Sequence, residues 1–318
     1  DIQMFDEATC QSVRARTSNL NEELGQVSII LSDKTGTLTC NQMEFRKCSI
    51  AGVSYGGDLN EVDLAASHRM NSDMVACSPN LKNLKIPDAH REYSIKGFNF
   101  RDDRLMDGRW TCNSNVYDIT MFFRVMALCH TGIPIEDDQA DKLKFEAESP
   151  EEVAFLITSQ ELGFQFCKRT QSVMVLKELD PDLGGIVKRE YKLLNLLEFS
   201  SSRKRMSVIV STEDGQIFLL CKGADSIIFE RLADNGRSYQ EATSLHLSCY
   251  AEDGFRTLAF AYRRVERADY EHWNSIFMKA KTTVGPERDE LLESASEMIE
   301  KDMILLGVAA VEDKLQKG

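Results

Sequence analysis

Two apolar runs stand near the ends of the chain, Val27 to Leu31 and Met303 to Val311, and neither alternates between apolar and polar residues. Continuous runs of this length read as strands buried on both faces, as in parallel sheets. We expect the two to pair in parallel, with the residues between them forming an inserted domain. Residues 1–45 then read as a short helical lead, the first strand, a loop, and a helix or turn through Met43. Phe45 to Tyr55 alternates like a strand leaving one domain for another and stops at Gly56-Gly57. The polar stretch 57–95, with loop signals at Ser78-Pro79-Asn80 and Ile86-Pro87-Asp88, is expected to be a flexible surface insertion.

Further along, Ile119 to Cys129 reads as an apolar helix. Ser149-Pro150-Glu151-Glu152 has the form of a capping box opening a helix over Val153 to Leu162, which Gly163 ends. Val173–Leu179, Lys188–Phe199, Met206–Thr212 and Gln216–Lys222 are strand-like and joined by short turns, so antiparallel pairing follows. Asp225 is expected to cap a helix to Leu232. A helix over Glu241 to Glu252, a strand over Arg256 to Val265, and amphipathic helices over Asp269 to Ala280 and Arg288 to Lys301 complete the pattern. The expected fold class is α/β: a domain made of 1–45 and 302–318, interrupted by an α+β domain, 46–301, built on an antiparallel sheet.

Composition narrows the function. The chain has 318 residues, 42% of them apolar, enough for a sizeable core. With 51 acidic against 38 basic residues the net charge is −13, which argues against nucleic acid as a partner. The cluster Arg203-Lys204-Arg205 reads as a solvated edge or an anion contact. Nine cysteines lack a CxxC pair and five histidines lack an HExxH arrangement, as expected for reduced thiols in a cytosolic setting. No apolar stretch approaches the roughly 20 residues that cross a bilayer. The chain opens at Asp1 without an initiator Met, which reads as a segment of something longer.

The first apolar run leads directly into Asp33-Lys34-Thr35-Gly36-Thr37-Leu38-Thr39. A carboxylate at the C-terminal tip of a buried strand lies where open α/β sheets bind ligands. It is a competent nucleophile toward a phosphoryl group once a cation neutralises the approaching charge. The bland alternative, Asp33 as a helix cap, does not require the other six residues. This heptapeptide resembles the phosphorylation signature of the P-type ATPases. That resemblance implies a haloacid-dehalogenase-like, Rossmann-like phosphorylation domain in which Asp33 becomes an aspartyl-phosphate. It also implies that Lys34 and a Mg²⁺ held by Asp33 and the Thr35 carbonyl supply positive charge. Related hydrolases carry a second Asp, an acid and base, where this chain has Thr35; a hydroxyl is a poor base, so the phosphoenzyme should persist.

The inserted domain resembles that of the phospholipid-translocating (P4-type) ATPases, with a plant-like character. The matching segments are Leu128-Cys129-His130-Thr131, Glu148 to Glu152, Phe199 to Ser207, Cys221 to Asp225, Asp253 to Leu258 and Val311 to Leu315. By that resemblance Phe199 stacks on the adenine of ATP, Lys222 lies against the base or ribose, Glu152 accepts from the adenine, and Arg256 reaches toward the phosphates. Each has a second reading. Phe199 ends a strand and can be a core residue, Glu152 is explained by the capping box, and Arg256 can be a solvated partner of an acidic loop. Lys222 is harder to explain structurally, because it interrupts Phe218-Leu219-Leu220-Cys221 and precedes a glycine that allows close approach of a ligand.

The reading is therefore the ATP-binding and autophosphorylated part of a phospholipid flippase at the cytosolic face of a membrane, with ATP and Mg²⁺ as cofactors. Its expected partners are transmembrane and actuator domains outside this chain, phospholipid only through the former, and an accessory subunit. The family's GDGxND loop is not in the chain, so it is expected to bind ATP and turn over poorly. A cation-transporting P-type ATPase, a soluble haloacid-dehalogenase-type phosphatase and a noncatalytic nucleotide-binding module are the alternatives. Val311-Glu312-Asp313 in place of a DPP-type sequence, and the stretch Phe199 to Ser207, favour the lipid branch.

Overall fold

In the computed structural model the described residues are 5–6, 10–12, 14, 20–56, 97–135 and 143–315. The expected insertion 57–95 lies outside them. The chain divides into two compact units, residues 1–40 with 315–318, and residues 41–314.

In the first unit, β1 (Phe5–Asp6) pairs with β2 (Gln11–Ser12), and α1 covers Leu20–Leu24. The run Val27 to Leu31 is not a strand. It has no regular secondary structure and joins no sheet, and Leu31 is 93% exposed. The partner expected for it has no edge to offer: β13 (Ile304–Leu315) lies between β3 (Thr39–Ile50) and β12 (Arg256–Val265). Lys34–Leu38 forms a single wide π-type turn and the chain enters β3 directly, so Met43 is in a strand and not in a helix or turn.

The second unit is organised by a nine-stranded sheet in the order β4-β3-β13-β12-β11-β10-β9-β8-β7. The remaining strands of this sheet are β4 (Val53–Tyr55), β7 (Phe164–Arg169), β8 (Val173–Asp180), β9 (Gly185–Ser200), β10 (Arg205–Ser211) and β11 (Ile217–Gly223). A separate ribbon pairs β5 (Ile133–Ile135) with β6 (Lys144–Glu146). The meander from β7 to β11 is antiparallel throughout, as the short turns required. The stretch expected as one strand, Phe45 to Tyr55, is a hairpin. Ala51 (φ 50°) and Gly52 (φ 75°) both take the left-handed conformation of a two-residue turn, and Ile50 faces Val53. Gly307 is obligatory in β13, since a Cβ there would meet the Ser49 carbonyl oxygen at 1.8 Å.

Helices cover both faces of the sheet. On one face lie α2 (Val116–Leu128) and α3 (Pro150–Glu161), whose Phe122, Phe123 and Phe155 pack with Val208, Val210, Leu220 and Phe260. On the other lie α4 (Asp225–Glu230), α5 (Gln240–Glu252), α6 (Arg267–Thr282) and α7 (Glu287–Ile299), which bury Ile228, Tyr250, Trp273 and Ile299 against Ile209, Leu219, Ala259 and Ala261. Neighbours along a strand point to opposite faces, so β10 is buried at every residue. Asp225 does not cap α4. It is the first helical residue, the cap position is Ala224, and no side chain bonds there.

Arg203 and Arg205 are not a solvated edge. Both are buried and converge on Glu300, which follows α7 and is itself fully buried. Arg203 Nη1 reaches both Glu300 oxygens at 2.9 Å, Arg205 Nε reaches Oε2 at 2.7 Å, and Ser207 Oγ donates to Oε1 at 2.5 Å. Arg205 also bonds Glu297 at 2.6 Å. Residues 205 and 207 share one face of β10, which is why the strand's start can spend both on a single carboxylate.

Replacing Glu300 by Gln strips the charge that these two guanidiniums share. Removing one partner of a buried ion pair costs roughly 3–5 kcal/mol, so urea denaturation of Glu300→Gln should show a loss of about that size. A loss under about 1 kcal/mol, the range of solvated pairs, would mean that water reaches these charges.

Candidate functional site

Strand alternation sends Met206 and Lys222, opposite each other in β10 and β11, to the face away from Glu300. There they line a cavity of about 360 Å³ with Glu152 and Phe155 of α3, Phe199 of β9 and Leu258 of β12. Thr131, Glu148, Ser149, Glu151, Glu198 and Gly223 complete its lining. Three of the residues singled out by sequence, Glu152, Phe199 and Lys222, are thus brought together across 70 positions of chain.

Lys222 and Glu152 are 7% and 6% exposed and bond each other, Nζ to Oε1, at 2.7 Å. The Lys222 ammonium also lies 6.0 Å from the centroid of the Phe155 ring. The other Glu152 oxygen, Oε2, accepts from the Thr131 backbone N–H at 3.1 Å and from Thr131 Oγ1 at 3.0 Å. Burial opposes ionisation of Glu152, but the Lys222 charge and these donors outweigh it and hold its carboxyl below the usual range. The capping-box reading of Glu152 is only half realised. Ser149 Oγ accepts from Glu151 N at 3.3 Å, while the Glu152 carboxylate turns inward to the ammonium, the stronger attraction in a dry site.

Phe199 is 63% exposed, which excludes the core reading. Arg256 is exposed and pairs with Glu151 Oε1 at 2.8 Å; Glu151 lines the cavity and Arg256 does not. Gly223 lines the cavity, and its lack of a side chain is also required by the strand beside it. A Cβ there would lie 2.5 Å from Arg205 Cβ and 2.7 Å from the Lys204 carbonyl oxygen, so the glycine accommodates the neighbouring strand. Thr131, Phe155 and Met206 carried no assigned role in the sequence. For Thr131 the only available signal was its place in the matching segment Leu128 to Thr131.

The end of α2 frames the cavity from below. Cys129 Sγ lies 3.6 Å from the Met206 carbonyl oxygen and 3.5 Å from that of Leu220, and burial pushes its thiol up to about 12, so it stays protonated and donates. His130 Nε2 donates to the Ala127 carbonyl at 2.8 Å, and Nδ1 has no hydrogen-bond partner. Burial, then the nearby Lys222 charge, lower the His130 pKa to about 3.

In the other unit, Asp33 precedes the π-type turn and is exposed; its carboxylate accepts from Lys34 N at 2.8 Å. Lys34 is exposed and Thr35 belongs to the same turn. Among the described residues no three His, Cys, Asp or Glu side chains gather to hold a metal.

Fold and cavity together define an α+β module with a cavity walled by an aromatic ring beside a buried ammonium–carboxylate pair. The family model described as "P-type ATPase, cytoplasmic domain N" matches residues 118–318. The chain belongs to the P-type ATPases. It is 51% identical over 348 residues to "Phospholipid-transporting ATPase 6" of Arabidopsis thaliana and 54% identical over 329 residues to "Probable phospholipid-transporting ATPase 4" of the same plant. It is 48% identical to "Phospholipid-transporting ATPase 10", again from Arabidopsis thaliana. All of this chain is covered in these matches, and it spans 28%, 27% and 26% of the three relatives. Among the described residues no helix is long and apolar enough to cross a membrane.

Because His130 is neutral when folded and titrates near pH 6.5 when unfolded, its contribution is intact above about pH 6.5 and declines as pH falls toward 3. Between pH 7 and 5 this group alone should cost on the order of 2 kcal/mol. Denaturation at the two pH values should show that His130→Gln loses less stability than the parent chain by that amount. Equal losses would mean that the imidazole is protonated in place.

Proposed function

We propose that this chain is the ATP-binding and autophosphorylated part of a phospholipid-transporting P-type ATPase. The observation that carries the nucleotide half is the cavity: Phe199 offers an aromatic face, Phe155, Met206 and Leu258 supply apolar walls, and Glu152 with Lys222 supply a fixed acceptor and donor. The lining holds four carboxylates, Glu148, Glu151, Glu152 and Glu198, against a single cation, Lys222. Such a surface repels a triphosphate and accepts donors such as an exocyclic amine, so the base end of ATP enters and the phosphates stay outside. Arg256, at the rim through its bond to Glu151, offers a guanidinium for them.

In this reading Asp33 is the phosphoryl acceptor. Its exposure and the adjoining Lys34 suit a nucleophile that must meet an anionic group. Mg²⁺ held by the Asp33 carboxylate and the Thr35 carbonyl supplies charge neutralisation when bound. The division into a phosphorylation part, 1–45 with 302–318, and a nucleotide-binding part, 46–301, belongs to the same proposal. So do lipid as the transported substrate, transmembrane and actuator domains and an accessory subunit as partners, and a place at the cytosolic face of a membrane. The names of the relatives favour lipid over cation transport.

Two measurements test this. Changing Phe199 to Ala removes a stacking platform worth roughly 1–3 kcal/mol, so calorimetry should find ATP binding at least several-fold weaker. Unchanged affinity removes Phe199 from the site. In the full-length pump, Asp33→Asn should abolish an acid-stable, hydroxylamine-sensitive phosphoenzyme formed from labelled ATP; label that survives the change identifies another nucleophile.

A further inference from the structure

Thr131 is the first residue beyond the turn that ends α2, and it alone supplies the two donors that reach Glu152 Oε2, at 3.1 and 3.0 Å. Lys222 takes the other oxygen at 2.7 Å. A carboxylate offers about four lone-pair directions, and three are used here on its two oxygens. Rotation of the group about its own axis would exchange the oxygens and break all three bonds.

The clamp is itself anchored. His130 Nε2 holds the Ala127 carbonyl at 2.8 Å and Arg169 Nη1 holds the His130 carbonyl at 2.5 Å, which fixes the peptide whose N–H belongs to Thr131. Cys129 ties the same turn to the carbonyls of Met206 and Leu220, on the two strands that carry Met206 and Lys222 into the cavity. Thr131 and Lys222 are thereby held in one frame, with Glu152 suspended between them.

We infer that Thr131 is the positioning residue of the ligand cavity: by pinning Oε2 it keeps Glu152 from closing both oxygens around the Lys222 ammonium, so that an acceptor stays presented to the ligand beside the donor. This rests on the nucleotide reading for the identity of the ligand, and on the geometry alone for the clamp. Without the hydroxyl, one backbone N–H is left against a full ammonium charge, and the carboxylate turns toward the cation. The cavity then keeps its volume and its aromatic wall, but its acceptor loses its fixed direction.

Thr131→Val preserves shape and removes the hydroxyl; Thr131→Ser keeps the hydroxyl and removes a methyl. By calorimetry on this chain, ATP affinity should fall roughly tenfold in Thr131→Val, the scale of one lost hydrogen bond to a charged group, and stay close to the parent value in Thr131→Ser. A second readout needs no nucleotide: the titration of the Glu152 carboxyl, followed by carbon NMR. The charged and titratable groups around it are Lys222 on β11, His130 and Cys129 at the end of α2, and Arg169 on β7. None of them changes between the variants. The Glu152 midpoint should rise in Thr131→Val and return in Thr131→Ser. No rise, or the same rise in both variants, overturns the clamp. A rise in Thr131→Val, with no ATP affinity in the parent chain, overturns the ligand role and the nucleotide reading with it.

Discussion

Glu300 is the carboxylate on which the cavity's outer wall depends. It receives Arg203, Arg205 and Ser207 in a place closed to water, where an unpaired guanidinium would be far too costly to keep. Arg203 extends the hold by donating to the Glu198 carbonyl, so the turn between β9 and β10 is drawn onto the helical layer. Glu198 and Phe199 stand just before that turn. An aromatic side chain that is mostly solvated has little packing to orient it, and here the backbone beneath it is anchored instead.

The opposite face of the sheet carries a second ion pair, between Lys222 of β11 and Glu152 of α3. Lys222 and Glu152 also neutralise each other out of bulk water, and they line the cavity, whereas Glu300 is fully buried. Glu300 has its bonds satisfied on all sides by protein groups, whereas Lys222 and Glu152 bond each other at the edge of a cavity. Residues of alternate parity along β10 and β11 thus serve different ends, Arg205 for cohesion and Met206 with Lys222 for the site.

Much of this was legible in the sequence, for local reasons. The meander from Val173 to Lys222 and the helices that follow obey short-range turn and spacing rules, and they were found close to where they were expected. Lys222 was conspicuous because a charge in an apolar run is out of place in a core. The failures share a different cause. Val27 to Leu31 is apolar enough for a strand, but a strand exists only if an edge is free, and β13 has none. Ala51-Gly52 lacks the Asn-Gly or Asp-Gly form of a tight hairpin turn, so two strands were read as one. Arg203 and Arg205 looked solvated because their partner lies about a hundred residues away, and Glu152 looked like a cap because its local role was visible and its distant one was not.

What the sequence by itself determined is the chemistry on offer and the period of each element: the heptapeptide at Asp33, the antiparallel meander, and an acid, an aromatic and a lysine that the cavity gathers. What only the tertiary structure decided is which charges meet. Spacing along a strand fixes the face a side chain takes, because alternation is local, but the identity of the group across from it is set by sheet order and helix placement. Hence Lys222 could be marked as out of place in a core from sequence alone. That its partner is Glu152, steadied by Thr131, follows from bringing the ends of two helices over the middle of a nine-stranded sheet.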